Sequence, residues 1–316
     1  MSFVTNSDGG TTRRDDLIQP FKIEASGLYG RLVRLGPALD QPLKAHDYPD
    51  AVAVLLGECL TLTAGLAAAL KFTGAFSLQA KGDGPVRMIV ADATNSGAIR
   101  GYAQVDGPLP DPGDIATAPI PRLLGAGYLA FTVDQGPDTE RYQGIVDLDG
   151  ATLVDCVHHY FQTSNQFSAA VKLSVARDDS GCWRGGALIL QRSPEDENPL
   201  TQDDAEEAWR RAVILMGSCT LEEMVDPSLA ANQLLYRLFH EDGVRVFDPQ
   251  PIAFACKCTP ERMAAAVAML TPEELLEMSV DGAVTVTCQF CNAGHVFDEA
   301  ALRDLRAPDT PDAAPQ

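Results

Sequence analysis

An α+β fold is predicted, with an antiparallel-sheet core domain carrying helices, then a helical linker, then a small C-terminal four-cysteine domain. Short alternating apolar runs broken by turn residues fill much of the first two-thirds of the chain. Two helical patterns follow, and four of the eight cysteines crowd into two tight pairs near the end. Alternation with period two marks strands, and a period of 3.6 marks helices.

In order, residues 1–16 read as a disordered tail with no apolar leader. The run "AVAVLLGECLTLTAGLAAALKF" from Ala51 is apolar enough to raise a membrane-spanning reading, but Glu58, two glycines and two threonines interrupt its first part. A buried helix of a soluble domain is expected, capped by Asp50 after Tyr48-Pro49. Next come "FSLQAKGDGP", "VRMIVADATNSG", "AIRGYAQVDG", "GYLAFTVDQGP" and "RYQGIVDLDG", strands at hairpin spacing. A helix over "ATLVDCVHHYFQ" and two strands, "AAVKLSVARDDSG" and "GGALILQRSP", complete a core domain over residues 17–194.

Glu195 to Glu207 holds acidic residues and no basic ones around Pro199, which places a boundary there. Residues 195–250 then form an acidic and helical linker, with helices in "AEEAWRRAVILMGS" and in "PSLAANQLLYRLFHEDG", the second opened by Asp226-Pro227. Trp209, Ile214, Leu215, Leu234, Leu235, Leu238 and Phe239 lie on their apolar faces and must dock. Residues 251–306 form the last ordered unit, and 307–316 a Pro-rich disordered tail. Within that unit Thr259-Pro260 and the capping box at Thr271 start short helices, and Asp281-Gly282 turns the chain into the strand "AVTVT".

The chain of 316 residues has a net charge of −20, a repulsive field for phosphate backbones, so nucleic acid is excluded as a partner and no membrane role is expected. With no leader, the expected location is the cytoplasm. Thiols are kept reduced there, and clustered cysteines serve metals or redox chemistry.

Cys256-Lys257-Cys258 and Cys288-Gln289-Phe290-Cys291 bracket the two short helices. Four thiolates converging tetrahedrally make a closed zinc site, structural rather than catalytic, and a unit of about fifty residues commonly needs such a staple. Two other readings compete: a thiol-disulfide oxidoreductase using Cys288 and Cys291, and a zinc-ribbon adaptor. The oxidoreductase would carry its pair at a helix N-terminus, whereas this pair follows a strand. A nucleic-acid adaptor would be basic.

The pairs sit in "FACKCTPER" and "VTCQFCN", preceded by "LLYRLFHEDGVRVFDPQ" and, far upstream, by "HDYPDAV", "LQAKGDGPV" and "ERYQGIV". Together, from Ile18 to Leu305, these resemble the 33 kDa heat-shock protein family, bacterial redox-regulated holdases. The resemblance implies an ATP-independent chaperone, not an enzyme, inactive while Cys256, Cys258, Cys288 and Cys291 hold one zinc per chain. It implies that oxidation releases zinc, forms the disulfides Cys256–Cys258 and Cys288–Cys291 and unfolds the linker, about Asp203 to Gln250. A homodimer then captures unfolded client proteins. His295 stands where the family usually has an aromatic residue.

Cys59, Cys156, Cys182 and Cys219 are scattered and read as small buried hydrophobes. His158-His159 lies on a helix with no partner motif in register, and His295 has no vacancy to fill beside four cysteines. The "KGDGP" stretch lacks phosphate-loop spacing and reads as a hairpin turn.

Overall fold

In the computed structural model, residues 15–70, 73–135, 142–164, 169–192 and 201–304 are described. The predicted C-terminal tail, residues 1–14 of the predicted N-terminal tail and residues 195–200 of the acidic run fall outside them, whereas Asp16, expected in the tail, is ordered by accepting from Gly36 N–H (2.8 Å) and Ala38 N–H (3.0 Å). The chain divides into two compact units, Met1–Phe254 and Ala255–Gln316.

The first unit opens with the hairpin β1 (Leu17–Ile23) and β2 (Leu28–Leu35), then helices α1 (Pro37–Lys44) and α2 (Asp50–Ala67). Strands β3 (Ala75–Gly82), β4 (Val86–Thr94) and β5 (Ala98–Val105) follow. A short helix α3 (Pro112–Thr117) and a π-helical turn (Ile120–Leu124) lead to β6 (Gly127–Asp134), β7 (Tyr142–Asp147) and helix α4 (Leu153–Ser164). The hairpin β8 (Ala169–Arg177) and β9 (Trp183–Gln191) precedes helices α5 (Gln202–Gly217), α6 (Leu221–Val225) and α7 (Ala231–Phe239). Three short strands end the unit: β10 (Val244–Val246), β11 (Gln250–Pro251) and β12 (Ala253–Phe254).

Two sheets result. One runs β10-β1-β2-β9-β8 with β11 also on β1, and the other β12-β5-β4-β3-β6-β7. Every pairing is antiparallel except that of β12 with β5. Helix α2 fills the space between them: Leu55, Leu56, Cys59 and Leu60 are buried with Val33 and Ile189 of the first sheet and Ile89 and Ala91 of the second. The helix is long and apolar enough to cross a membrane by composition, but 78% of it is buried inside the unit.

The first sheet is buried on both faces. Alternate residues Val33, Leu173 and Ile189 face α2, while Leu32, Leu188 and Leu190 face the three linker helices. That explains why "GALIL" in β9 is continuously apolar, and why β1 and β2, broken by Pro20 and lacking a clean alternation, are not anticipated from sequence. The linker helices present Ala212, Met216, Met224, Leu234, Leu235 and Phe239 to this face.

Four local expectations are corrected. Asp50 does not cap α2: Pro49 occupies the N-cap position, and Asp50 instead accepts a hydrogen bond from Arg177 Nη2 at 2.7 Å. Helix α7 starts at Ala231 rather than at Pro227, because the Asp226 carboxylate accepts from Ser228 N–H (2.7 Å) and closes a turn there. Ile214 is 66% exposed, since the buried stripe of α5 runs through Trp209, Ala212, Val213 and Met216 at helical spacing. Cys182 is only half-buried and accepts from Lys44 Nζ at 3.4 Å, while Cys59, Cys156 and Cys219 are buried. Helix α6 is also unanticipated, although Thr220 and Glu223 form a complete capping box.

In the second unit, α8 (Pro260–Ala268) and α9 (Pro272–Met278) start at the predicted threonines, whose hydroxyls accept from Arg262 and Glu274 N–H. Strands β13 (Ser279–Val280), β14 (Ala283–Thr287) and β15 (Gly294–Phe297) form a three-stranded antiparallel sheet, followed by helix α10 (Glu299–Asp304). Asp281 (φ 51°) and Gly282 (φ 79°) make the tight turn into β14. The buried core of this unit is Val267, Leu275, Val284 and Phe297.

Candidate metal centre

Each cysteine pair is held by its local backbone. After β12 the chain runs irregularly through Cys256-Lys257-Cys258 into α8, and Arg262 Nη1 donates to Lys257 O at 3.1 Å across that loop. The second pair forms the turn of the β14–β15 hairpin. There Cys288 N–H donates to Ala293 O (3.0 Å) and Asn292 N–H to Cys288 O (2.8 Å). Asn292 takes φ 59°, a left-handed value that asparagine tolerates.

The folding of α8 and α9 brings the two loops together. All four sulfurs lie within 4.8 Å of one another. Cys256 Sγ is 3.3 Å from Cys258 Sγ and 3.6 Å from Cys288 Sγ, and Cys258 Sγ is 3.3 Å from Cys291 Sγ. A tetrahedron with metal–sulfur bonds of about 2.3 Å has edges of about 3.8 Å, so the four residues can hold one metal ion with small adjustment. Cys288 is buried and the other three are half-buried.

Burial pushes the Cys288 thiol up, but N–H donation from Cys291 and Phe290 outweighs it and brings the group down to about 7. Cys258 is pushed up, first by its hydrogen bond with Cys291 and then by that with Cys256. The four sulfurs therefore differ in readiness to ionise, with Cys288 foremost among these two.

The remaining candidates fall elsewhere. His295, on β15 opposite Val286, is not among the converging ligands. His158 Nε2 accepts from Val171 N–H at 3.2 Å, and burial lowers its pKa, which makes it a core hydrogen-bond acceptor. The Cys288–Cys291 pair sits in a hairpin turn rather than at a helix N-terminus, unlike the arrangement of a thiol-disulfide oxidoreductase.

Sequence reasoning missed a row of donors on the outer face of the first sheet. Arg34, Gly186 and Ser174 are direct neighbours across β2, β9 and β8. The signal available was the spacing of Lys172 and Ser174 between apolar positions in "AAVKLSVA".

Comparison with known proteins gives a consistent result. The family model described as "Hsp33 protein" matches residues 16–298. A relative named "33 kDa chaperonin" from Caulobacter vibrioides (strain NA1000 / CB15N) is 38% identical over 295 residues, covering 90% of this chain and 95% of its own. One of the same name from Escherichia coli (strain SMS-3-5 / SECEC) is 34% identical over 302 residues, with 95% and 98% covered. The solved structure of a 33 kDa chaperonin from Thermotoga maritima superposes with a TM-score of 0.76 at 24% identity, covering 92% of this chain and 97% of that one.

Proposed function

The chain belongs to the Hsp33 family, and from that premise we propose that it is a cytoplasmic, redox-regulated, ATP-independent holdase. In this reading it is not an enzyme, and it binds unfolded client proteins, as a homodimer once oxidised. The observation that carries the redox part is the convergence of four sulfurs within 4.8 Å in a unit whose buried apolar cluster, among the described residues, is Val267, Leu275, Val284 and Phe297.

Cys256, Cys258, Cys288 and Cys291 would hold one zinc ion in the reduced protein. Bound there, zinc would tie the two loops together and keep the sulfurs as thiolates. Apparent binding energies of roughly 10 to 16 kcal/mol for such sites match or exceed the gross burial of four apolar side chains, about 6 to 12 kcal/mol before ordering entropy is set against it. Oxidation proceeds within each pair: one sulfur attacks peroxide and becomes a sulfenic acid, and its neighbour then displaces water to close a disulfide. Each pair gives up two electrons. With its staple gone the small unit melts, and the linker, about Asp203 to Gln250, continues directly into it along the chain. Loss of linker docking would uncover the Leu32, Leu188 and Leu190 face of the first sheet.

The test follows zinc release with a colorimetric chelator alongside light scattering of a heat-unfolding client, with and without peroxide. Aggregation should be suppressed by the oxidised protein and not by the reduced one. Equal suppression in both states would remove the redox switch.

A further inference from the structure

Cys182 stands apart from the other three cysteines outside the metal centre. Burial pushes the thiols of Cys59, Cys156 and Cys219 up and keeps solvent from them, whereas Cys182 is only half-buried, in the turn of the β8–β9 hairpin. That turn is fixed from within. Asp178 N–H donates to Cys182 O at 2.9 Å, and the Asp178 carboxylate accepts from Ser180 N–H (2.9 Å), Cys182 N–H (3.0 Å) and Arg184 Nε (2.8 Å). Gly181 takes φ 76°, which lets the chain reverse in so short a space.

Lys44, in the last turn of α1, is brought against this sulfur. Its Nζ donates to Cys182 Sγ at 3.4 Å and lies 2.9 Å from Asp40 Oδ2, one turn back on the same helix. Asp40 Oδ1 in turn accepts from Trp183 N–H at 2.7 Å, and Trp183 is 3% exposed. Asp40 therefore joins helix and hairpin at the residue after the cysteine, and the amine and the sulfur are held side by side. Among the described residues no other cysteine sulfur is in contact with Cys182, so the nucleophile at hand is the lysine amine.

We propose that peroxide joins Cys182 and Lys44 in a covalent cross-link, a sulfenamide that ties α1 to the β8–β9 turn. The Cys182 thiolate attacks a peroxide oxygen, the O–O bond breaks, and a sulfenic acid and water result. Lys44 must shed one proton, and its hydrogen bond to Asp40 raises its pKa, so this is the costly step. Water takes that proton, since the side chain is 47% exposed. The amine then attacks the sulfenyl sulfur, an S–N bond forms, and the S–O bond breaks to release a second water. One peroxide is reduced by two electrons, and the cysteine–lysine pair loses two hydrogens. Holding the two groups in contact is what makes the second step competitive with attack by a dissolved nucleophile. A bond between residues 138 positions apart closes a long loop and so removes freedom from the unfolded chain. The core domain is thereby reinforced under oxidant, independently of zinc and of client binding.

The test treats the full-length reduced protein with hydrogen peroxide, alkylates the remaining thiols with iodoacetamide in denaturant, and maps tryptic peptides without added thiol. Residues 178–184 should appear joined to residues 35–71, uncut at Lys44 and two hydrogens lighter than the two peptides together. Cys59 lies in the longer peptide, so its alkylation in the joined product, with Lys44 uncut, separates the cross-link from a Cys59–Cys182 disulfide. Dithiothreitol should part the two peptides. Lys44→Arg keeps a cation beside Asp40 and removes the amine, so the joined product should vanish. Oxidised wild type should also melt about 5–15 °C above the oxidised variant, while the two reduced proteins melt alike. Cys182→Ser gives the same comparison should Lys44→Arg fail to fold. Recovery of Cys182 as a free thiol, a sulfinic or sulfonic acid or a disulfide, with Lys44 cut throughout, would overturn the proposal. Equal melting of the oxidised proteins despite a joined peptide would overturn the reinforcement. Both readouts are separate from holdase activity, so the cross-link stands or falls apart from that reading.

Discussion

Gly186 of β9 lies so close to Met224 of α6 that a Cβ at position 186 would stand 2.6 Å from the Met224 main-chain oxygen and 2.9 Å from its Cβ. A side chain there meets backbone, which cannot swing aside. Gly186→Val should therefore lift α6 without touching the cysteines, at an overpacking cost of about 1–3 kcal/mol. Hydrogen exchange in 203–250 should quicken by about tenfold or more, and the reduced, zinc-loaded protein should gain holdase activity. Unchanged exchange across α6 would show that the linker does not depend on this contact.

The metal centre predicts one zinc per chain in the reduced protein and its loss in Cys288→Ser. Because the buried core among the described residues is as small as Val267, Leu275, Val284 and Phe297, amide protection in β14 and β15 should collapse with the metal, while β2 and β9 stay protected. Retained protection of Val284 and Val286 after chelation would mean the unit stands without its staple.

Disulfide order follows from spacing. A bond across one residue closes a smaller and more strained ring than a bond across two, so Cys288–Cys291 should form first and Cys256–Cys258 should need stronger oxidant. Trypsin cleavage after Lys257 leaves the first pair joined only when its disulfide is present. Peptide maps dominated by bonds between the pairs would leave a cross-linked, compact unit and defeat this order.

Glu58 on α2 keeps some surface, but burial pushes its pKa up from 4.5 to about 7, and no cation pairs with it among the described residues. Its folded value lies above the unfolded one, so the unfolded state ionises first as pH rises. Stability should fall between about pH 4.5 and 7 and then level off, by up to about 3 kcal/mol. Glu58→Gln should flatten that fall and raise the melting temperature at pH 8 more than at pH 5. Parallel melting curves for both proteins across this range would assign the carboxyl no such role.

Much of the chain was legible in one dimension. Strands β3 to β7 announced themselves because alternation and Gly or Asp turns are local signals, and α8, α9 and the turn at Asp281 because caps and left-handed positions are local too. The candidate metal centre was legible for a related reason: each loop carries two sulfurs a residue or two apart, so only two loops had to meet.

The outer face of the first sheet was not legible. Nothing in "LYGRLVRLG" separates Arg34, buried beneath α6, from Arg31, which reaches Gln191 on the neighbouring strand at 2.7 Å. The sequence by itself determined which residues could be strands, helices and ligands, since propensity, capping and cysteine spacing act within a few positions. Only the tertiary structure decided that β1, β2 and β9 are covered on both faces, that Ile214 points to solvent, and that a glycine, a serine and an arginine from three strands form one row under the linker. Those outcomes depend on cross-strand register and on which face a helix buries, and both are set by partners more than a hundred residues away, as Arg34 and Asp226 are.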